Sequence, residues 1–250
     1  GTIEVMGYNP TKNRKSYVRQ IGAVFGQKSQ LIWDIPPADS FRMNKAIYGI
    51  PDKEYEERLK LMTKLFMVED FITRPTRVLS LGERMKCEFI MAMLHQPKVV
   101  FLDEPTIGLD VIAKHNIREF IREMNKMGTT FILTTHDLED VERLARNVII
   151  INKGVKVFDG SIQNLRKVLG SKKIVQLTLQ NGFDTLDIPG TSILERESSM
   201  KVTLSVDLDR ISINEFMAEL SGRCAFSDIS IKEMPMETII THIYKYKDQN

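Results

Sequence analysis

The stretch Val99-Val100-Phe101-Leu102-Asp103-Glu104-Pro105 constrains this chain more than any other. Four apolar residues in a row, two of them β-branched, read as a short buried strand. Two adjacent carboxylates end it and a proline stops it. Such a strand belongs in a parallel sheet and delivers its last residues to the sheet's C-terminal edge, where ligands of open α/β folds sit. There Asp103 is placed to hold a divalent cation beside a phosphate, and Glu104 to polarise a water for attack. Taken alone, the seven residues fit an ordinary strand end with two solvated acids equally well.

Other short motifs surround it. Leu79-Ser80-Leu81-Gly82-Glu83 precedes a helix-like run to Leu94, and Thr106-Ile107-Gly108-Leu109-Asp110 follows at once. The apolar strand 130–135 ends in His136-Asp137, and the strand 21–25 ends in Gly26-Gln27. In this order they match a Q-loop, an LSxGE signature, a Walker B segment with its Glu, a D-loop and an H-switch. The chain over residues 1–169 thus resembles the ATP-binding subunit of ABC transporters. The wording around Cys87-Glu88 and Leu94-His95-Gln96-Pro97 is most similar to ABC-2-type exporters.

The resemblance implies a P-loop NTPase-like α/β core with a helical subdomain within 36–95, ATP and Mg²⁺ as cofactors, and a head-to-tail dimer. On it, Ser80, Gly82 and Glu83 serve ATP held by a partner subunit. Asp103 holds Mg²⁺ through water, with Gln27 touching the ion or its water. Glu104 is the general base, His136 contacts the γ-phosphate, and Asp110 lies between subunits. Ser80 suits its role independently, since a helix N-terminus favours anions and Glu83 three residues on completes a capping box. His95, His115 and His242 read as structural.

No G-x-x-x-x-G-K-[ST] occurs in the sequence. That loop cradles phosphates with backbone N–H groups and a Lys. The opening Gly1–Pro10 resembles the family strand that follows it, so the first strand, the loop and its helix are expected N-terminal to residue 1. The missing strand is expected between the strands at 99–102 and 130–135.

Composition excludes several classes. The apolar fraction of 42% and charged fraction of 27% are those of a globular protein, and the net charge of +2 argues against nucleic acid as a partner. Two distant cysteines, Cys87 and Cys224, lack metal-ligand spacing and fit a reducing compartment. No apolar run is long enough to span a bilayer. The resemblance therefore implies a peripheral subunit on the cytoplasmic membrane face, bound to a separate transmembrane permease.

Periodicity predicts strands at 2–7 and 17–25, helices at 38–48, 53–68 and 111–127, and a hairpin around Asn152-Lys153-Gly154. After Gly170 the pattern changes to short strands and two amphipathic helices, a small α+β domain over 170–250. The stretch Ser29–Pro37 is apolar and carries the sole Trp. By resemblance, Ile32, Trp33 and Pro36 receive the permease; an internally packed Trp33 is the other reading. Two further functions stay open: a non-catalytic interaction protein without a P-loop, and a soluble ABC ATPase outside transport.

Overall fold

The computed structural model describes residues 1–181 and 187–248, with side chains described through 244 outside that gap. Two compact units make up the chain, Gly1–Leu144 and Ala145–Asn250.

The first unit is built on a parallel sheet ordered β1-β2-β3, with β1 Ile21–Phe25, β2 Val99–Asp103 and β3 Thr130–Thr134. Its register aligns Phe25, Asp103 and Thr134 at the C-terminal edge. Every motif that follows a strand is thereby delivered to one edge. β2 and β3 are hydrogen-bonded neighbours along five residue pairs, so the expected slot between them does not exist. Alternation explains the packing. Val24, Val100 and Leu102 are buried on one face. Ala23, Phe101 and Ile132 share the other, and Ile132 is 47% exposed.

Six α-helices belong to this unit: α1 Arg14–Val18, α2 Pro37–Tyr48, α3 Asp52–Phe66, α4 Leu81–Met93, α5 Val111–Lys126 and α6 Leu138–Leu144. α2 starts on a proline, whose missing N–H costs nothing there, and ends at Gly49 with φ 65°. Ser80 and Glu83 form the expected capping box on α4, and Asp110 caps α5. Phe66, Phe89 and Phe120 join α3, α4 and α5, with the Phe66 and Phe120 rings stacked at 4.0 Å. The expected strand at 2–7 is only a bridge between Val5 and Tyr8, because positive φ at Met6 and Gly7 turns the chain back on itself. The strand expected from Tyr17 begins at Ile21, since 14–18 closes a helical turn.

In the second unit, β4 Asn147–Asn152 and β5 Val155–Ser161 form the expected hairpin. Lys153 and Gly154 both take positive φ, the requirement of a type I′ turn. α7 Ile162–Arg166 follows. An antiparallel sheet ordered β7-β8-β6-β9 comprises β6 Lys172–Leu179, β7 Thr191–Arg196, β8 Lys201–Asp207 and β9 Phe226–Glu233. Its apolar face, including Val175, Leu177 and Leu204, buries Phe216 and Leu220 of α8 Ile213–Arg223. α9 Met236–Asp248 packs on β5 and α7. The hairpin and α7 thus sit in this unit, ahead of the 169/170 change in pattern.

Cys87 is fully buried, and burial, helped by the Glu88 and Glu83 charges, pushes its thiol up to about 12. Cys224 is half-buried, and burial raises its thiol too. A thiol-specific chromogenic reagent at neutral pH is expected to titrate Cys224 slowly in the native protein and Cys87 only after denaturation. Rapid native titration of both thiols would contradict the packing of α4.

Candidate functional site

β2 carries Asp103 to the sheet edge, where the side chain is exposed and one oxygen accepts from the Thr134 hydroxyl at 2.6 Å. The next residue leaves the strand sharply. Glu104 has φ 50°, a left-handed conformation that a side chain with a Cβ rarely adopts. Its N–H donates to the Thr134 carbonyl at 2.9 Å, which holds the strained turn against β3. Strain retained in this way is characteristic of functional sites.

The turn aims the Glu104 carboxylate at the chain leaving β3. Oε1 accepts from the His136 backbone N–H at 3.0 Å and lies 2.8 Å from His136 Nδ1. The Thr135 hydroxyl lies 3.4 Å from Oε2. An ionised carboxylate only accepts, so Nδ1 carries the hydrogen and Nε2 faces outward. The His136 side chain is 74% exposed, Glu104 29%. Asp137 is anchored by Lys114 of α5 at 2.5 Å, and that contact holds its carboxyl below the usual range.

Gly26 completes this edge. Its N–H donates to the Asp103 carbonyl at 2.8 Å. A Cβ built there would lie 2.1 Å from the Glu104 carbonyl oxygen, so no larger residue fits without displacing Glu104. Gln27 follows directly and is exposed.

A second group gathers at the N-termini of α4 and α5. Ser80 Oγ accepts from the Glu83 N–H at 3.2 Å, and Glu83 accepts from the Ser80 N–H at 2.8 Å. Glu83 is therefore committed to the cap, while Ser80 stays exposed with its hydroxyl proton free to donate. A Cβ on Gly82 would meet the Ala113 Cβ at 3.2 Å, so the two helix starts are closely packed. Asp110 Oδ1 accepts from the Ala113 N–H at 2.8 Å.

The structure thus brings Asp103, Glu104, His136 and Gln27 to one sheet edge, and Ser80, Gly82, Glu83 and Asp110 to a pair of helix starts. Sequence reading missed the steric demand at Gly26 and the supporting hydroxyls of Thr134 and Thr135. It also missed a buried link in which the Thr106 hydroxyl and Arg118 Nε, the latter at 2.6 Å, donate to Asp140. The signal was the Thr-Thr doublet before His136, which periodicity assigns to the strand alone.

These residues suit part of a Mg²⁺–ATP site. Asp103 has a free carboxylate oxygen for a hydrated cation, and the α4 start offers N–H groups and a hydroxyl for phosphate. The 250 residues supply no G-x-x-x-x-G-K-[ST] cradle.

The fold is that of ATP-binding subunits of ABC transporters, a form of the P-loop NTPase fold. A solved structure described as "Structure of ATP binding subunit of ABC transporter" matches with TM-score 0.61 and 27% identity, covering 68% of this chain and 70% of that one. The CbiO1 structure from Clostridium perfringens, titled as part of the ABC transporter complex cbiONQ, matches in fold with TM-score 0.58 and 24% identity, covering 67% and 71%. Among sequences, "ABC transporter ATP-binding protein NatA" of Bacillus subtilis is 28% identical over 165 residues, 66% of this chain and 67% of its own. MJ1023 of Methanocaldococcus jannaschii, an uncharacterized ABC transporter ATP-binding protein, is 34% identical over 117 residues, 47% of this chain and 45% of its own. "ABC transporter A family member 1" of Dictyostelium discoideum is 24% identical across this whole chain, which spans 30% of that protein. The chain thus spans about two thirds or less of the length of these relatives. The family profile described as "AAA domain, putative AbiEii toxin, Type IV TA system" matches residues 36–140. The chain is a homologue of ABC transporter ATP-binding proteins.

Proposed function

We propose that this chain is the ATP-hydrolysing subunit of an ABC-2-type export complex, working as a head-to-tail dimer with a transmembrane permease. The observation that carries the reading is the Glu104 carboxylate, held in a left-handed turn and clasped by His136 through both backbone and ring nitrogen. Bound Mg²⁺–ATP would supply the phosphoanhydride and the charge-neutralising cation. Glu104 then takes the proton of the attacking water, while the His136 backbone and ring nitrogens keep the carboxylate aimed. A proton on the outward Nε2 makes His136 an imidazolium able to donate to a phosphoryl oxygen. Asp103 would hold the hydrated cation, and Ser80 with the α4 N-terminus would stabilise the phosphate of the partner's nucleotide.

Gln27 lies between this edge and the segment bearing Trp33, which is 51% exposed with Arg84 stacked over its ring at 5.8 Å. Ile32 and Trp33 suit the docking of a permease segment at the cytoplasmic membrane face. Among the described residues no helix is long and apolar enough to cross a membrane. In this reading Gly1–Leu144 carries the nucleotide site, and Ala145–Asn250, with the hairpin ahead of the segment expected from 170, is an accessory unit.

Head-to-tail pairing has a discriminating test. Assemblies of Ser80→Ala subunits alone, or of Glu104→Gln subunits alone, have no intact site and are expected to release little phosphate. A mixed pair rebuilds one site from the good halves, so co-assembling the two variants restores a measurable fraction of Mg²⁺–ATPase activity. No recovery on mixing, with wild-type assemblies active, would refute the head-to-tail arrangement. An inactive wild-type assembly would return the chain to a non-catalytic role.

A further inference from the structure

Glu88 is a carboxylate in the middle of α4 that is 1% exposed and has no ion-pair partner within 4.0 Å among the described residues. Its oxygens are instead taken by one short stretch of chain. The Ser29 hydroxyl donates to Oε1. The Gln30 N–H lies 3.0 and 3.1 Å from the two oxygens, and the Leu31 N–H 3.4 Å from Oε1. Burial raises its pKa, against the lowering effect of these bonds and of the Arg84 charge. An acceptor-only group answers this set of donors, whereas an amide would bring hydrogens with no acceptor.

The stretch so held begins two residues after Gln27. It is tied elsewhere too: the Gln30 side chain donates to the Ala23 carbonyl of β1 at 2.6 Å. The Arg77 N–H donates to the Trp33 carbonyl at 3.0 Å, and the Thr76 N–H to the Ile35 carbonyl at 3.0 Å. Residues 76 and 77 lead directly into Ser80. The chain after Gln27 is thus fastened to the signature helix at its middle, through Glu88, and to its approach, through 76–77. Both Glu88 oxygens accept from the loop, among the described residues.

We infer that Glu88 is a positioning residue that fixes Gln27 relative to α4, so that the subunit's contributions to the two nucleotide sites of the dimer move as one. This rests on the ATPase reading, with Gln27 at the subunit's own nucleotide and Ser80 at the partner's. Glu88 does not touch nucleotide; it acts through the Ser29–Leu31 backbone.

The test is a double-mutant cycle on Mg²⁺–ATPase turnover in the intact assembly, using Gln27→Ala, Glu88→Gln and the pair. Gln27→Ala and Glu88→Gln are each expected to lower kcat by roughly tenfold to a hundredfold, the scale of a small misplacement. KM for Mg²⁺–ATP stays within about twofold, because the phosphate contacts are elsewhere. The double variant is expected to be no slower than Gln27→Ala alone, since both act through one group. Acrylamide quenching of Trp33, the sole tryptophan, should rise in Glu88→Gln as the loop loosens. If Glu88→Gln does not fold, Ser29→Ala carries the same cycle from an exposed position. Multiplying effects, or a normal kcat in Glu88→Gln beside a slow Gln27→Ala, overturn the inference and leave the ATPase reading standing. A normal kcat in Gln27→Ala overturns the role of Gln27, and the inference with it.

Discussion

Glu104→Gln is expected to lower turnover of the intact assembly by about 10²–10⁴, the usual cost of losing a general base, while ATP binding is kept. The geometry makes this substitution selective. Glutamine keeps the length and an oxygen able to accept from the His136 N–H, which lies 3.0 Å from Oε1. It keeps the left-handed turn as well, because that is held by the Thr134 carbonyl and not by the side chain. What it loses is basicity and the negative charge facing His136. Phosphate release and equilibrium ATP binding measured on one preparation separate the two effects. A near-normal kcat would reduce Glu104 to a structural acid and remove the chief support for hydrolysis. His136→Ala should also depress kcat, since Glu104 then loses the ring contact at 2.8 Å but keeps the backbone donor.

What the sequence made legible follows from which signals are local. The capping box at Ser80 and Glu83 is four residues long, and the structure contains it as read. The apolar run at Val99 gave a buried strand, and its register with Phe25 and Thr134 put three separate motifs at one edge. The order of strands was not legible. Nothing local in 130–134 says which neighbour it pairs with, and β3 pairs directly with β2. The strand expected at 2–7 failed for a related reason. An alternating pattern specifies a strand only where a partner edge exists, and here the chain folds back through Met6 and Gly7. The residues that meet at the sheet edge and at the helix starts were legible as candidates because they stand at element ends. The groups that hold them were not, because their contacts are distant in sequence. Gly26 against Glu104, Glu88 against Ser29–Leu31 and Arg118 against Asp140 each join segments that no window compares.

The last of these contacts carries the largest expected effect on stability. Asp140, fully buried on α6, accepts from Arg118 of α5 at 2.6 Å and from the Thr106 hydroxyl. The Arg118 side chain is itself 6% exposed. Asp140→Ala leaves a guanidinium out of water without its main partner, and breaking a buried pair in this way costs about 3–5 kcal/mol. Glu139 remains at 3.2 Å but is half exposed, so the expected loss lies near the lower end, about 3 kcal/mol. Urea unfolding followed by Trp33 emission reads the first unit alone, because that unit holds the only tryptophan. A loss below about 1 kcal/mol would show that Glu139, with Asp137 at 3.9 Å, neutralises Arg118 without Asp140. Replacing both charges, Arg118→Met with Asp140→Leu, should recover most of the stability, since apolar pairs often serve a core as well as a buried ion pair. The double variant should not recover turnover. Asp140 ties Thr106, four residues before the α5 cap Asp110, to the helix that starts two residues after His136. An apolar pair fills the same space without that directional bond. Stability regained with kcat still depressed would place the ion pair in the alignment of the site, and regaining both would make it a packing feature.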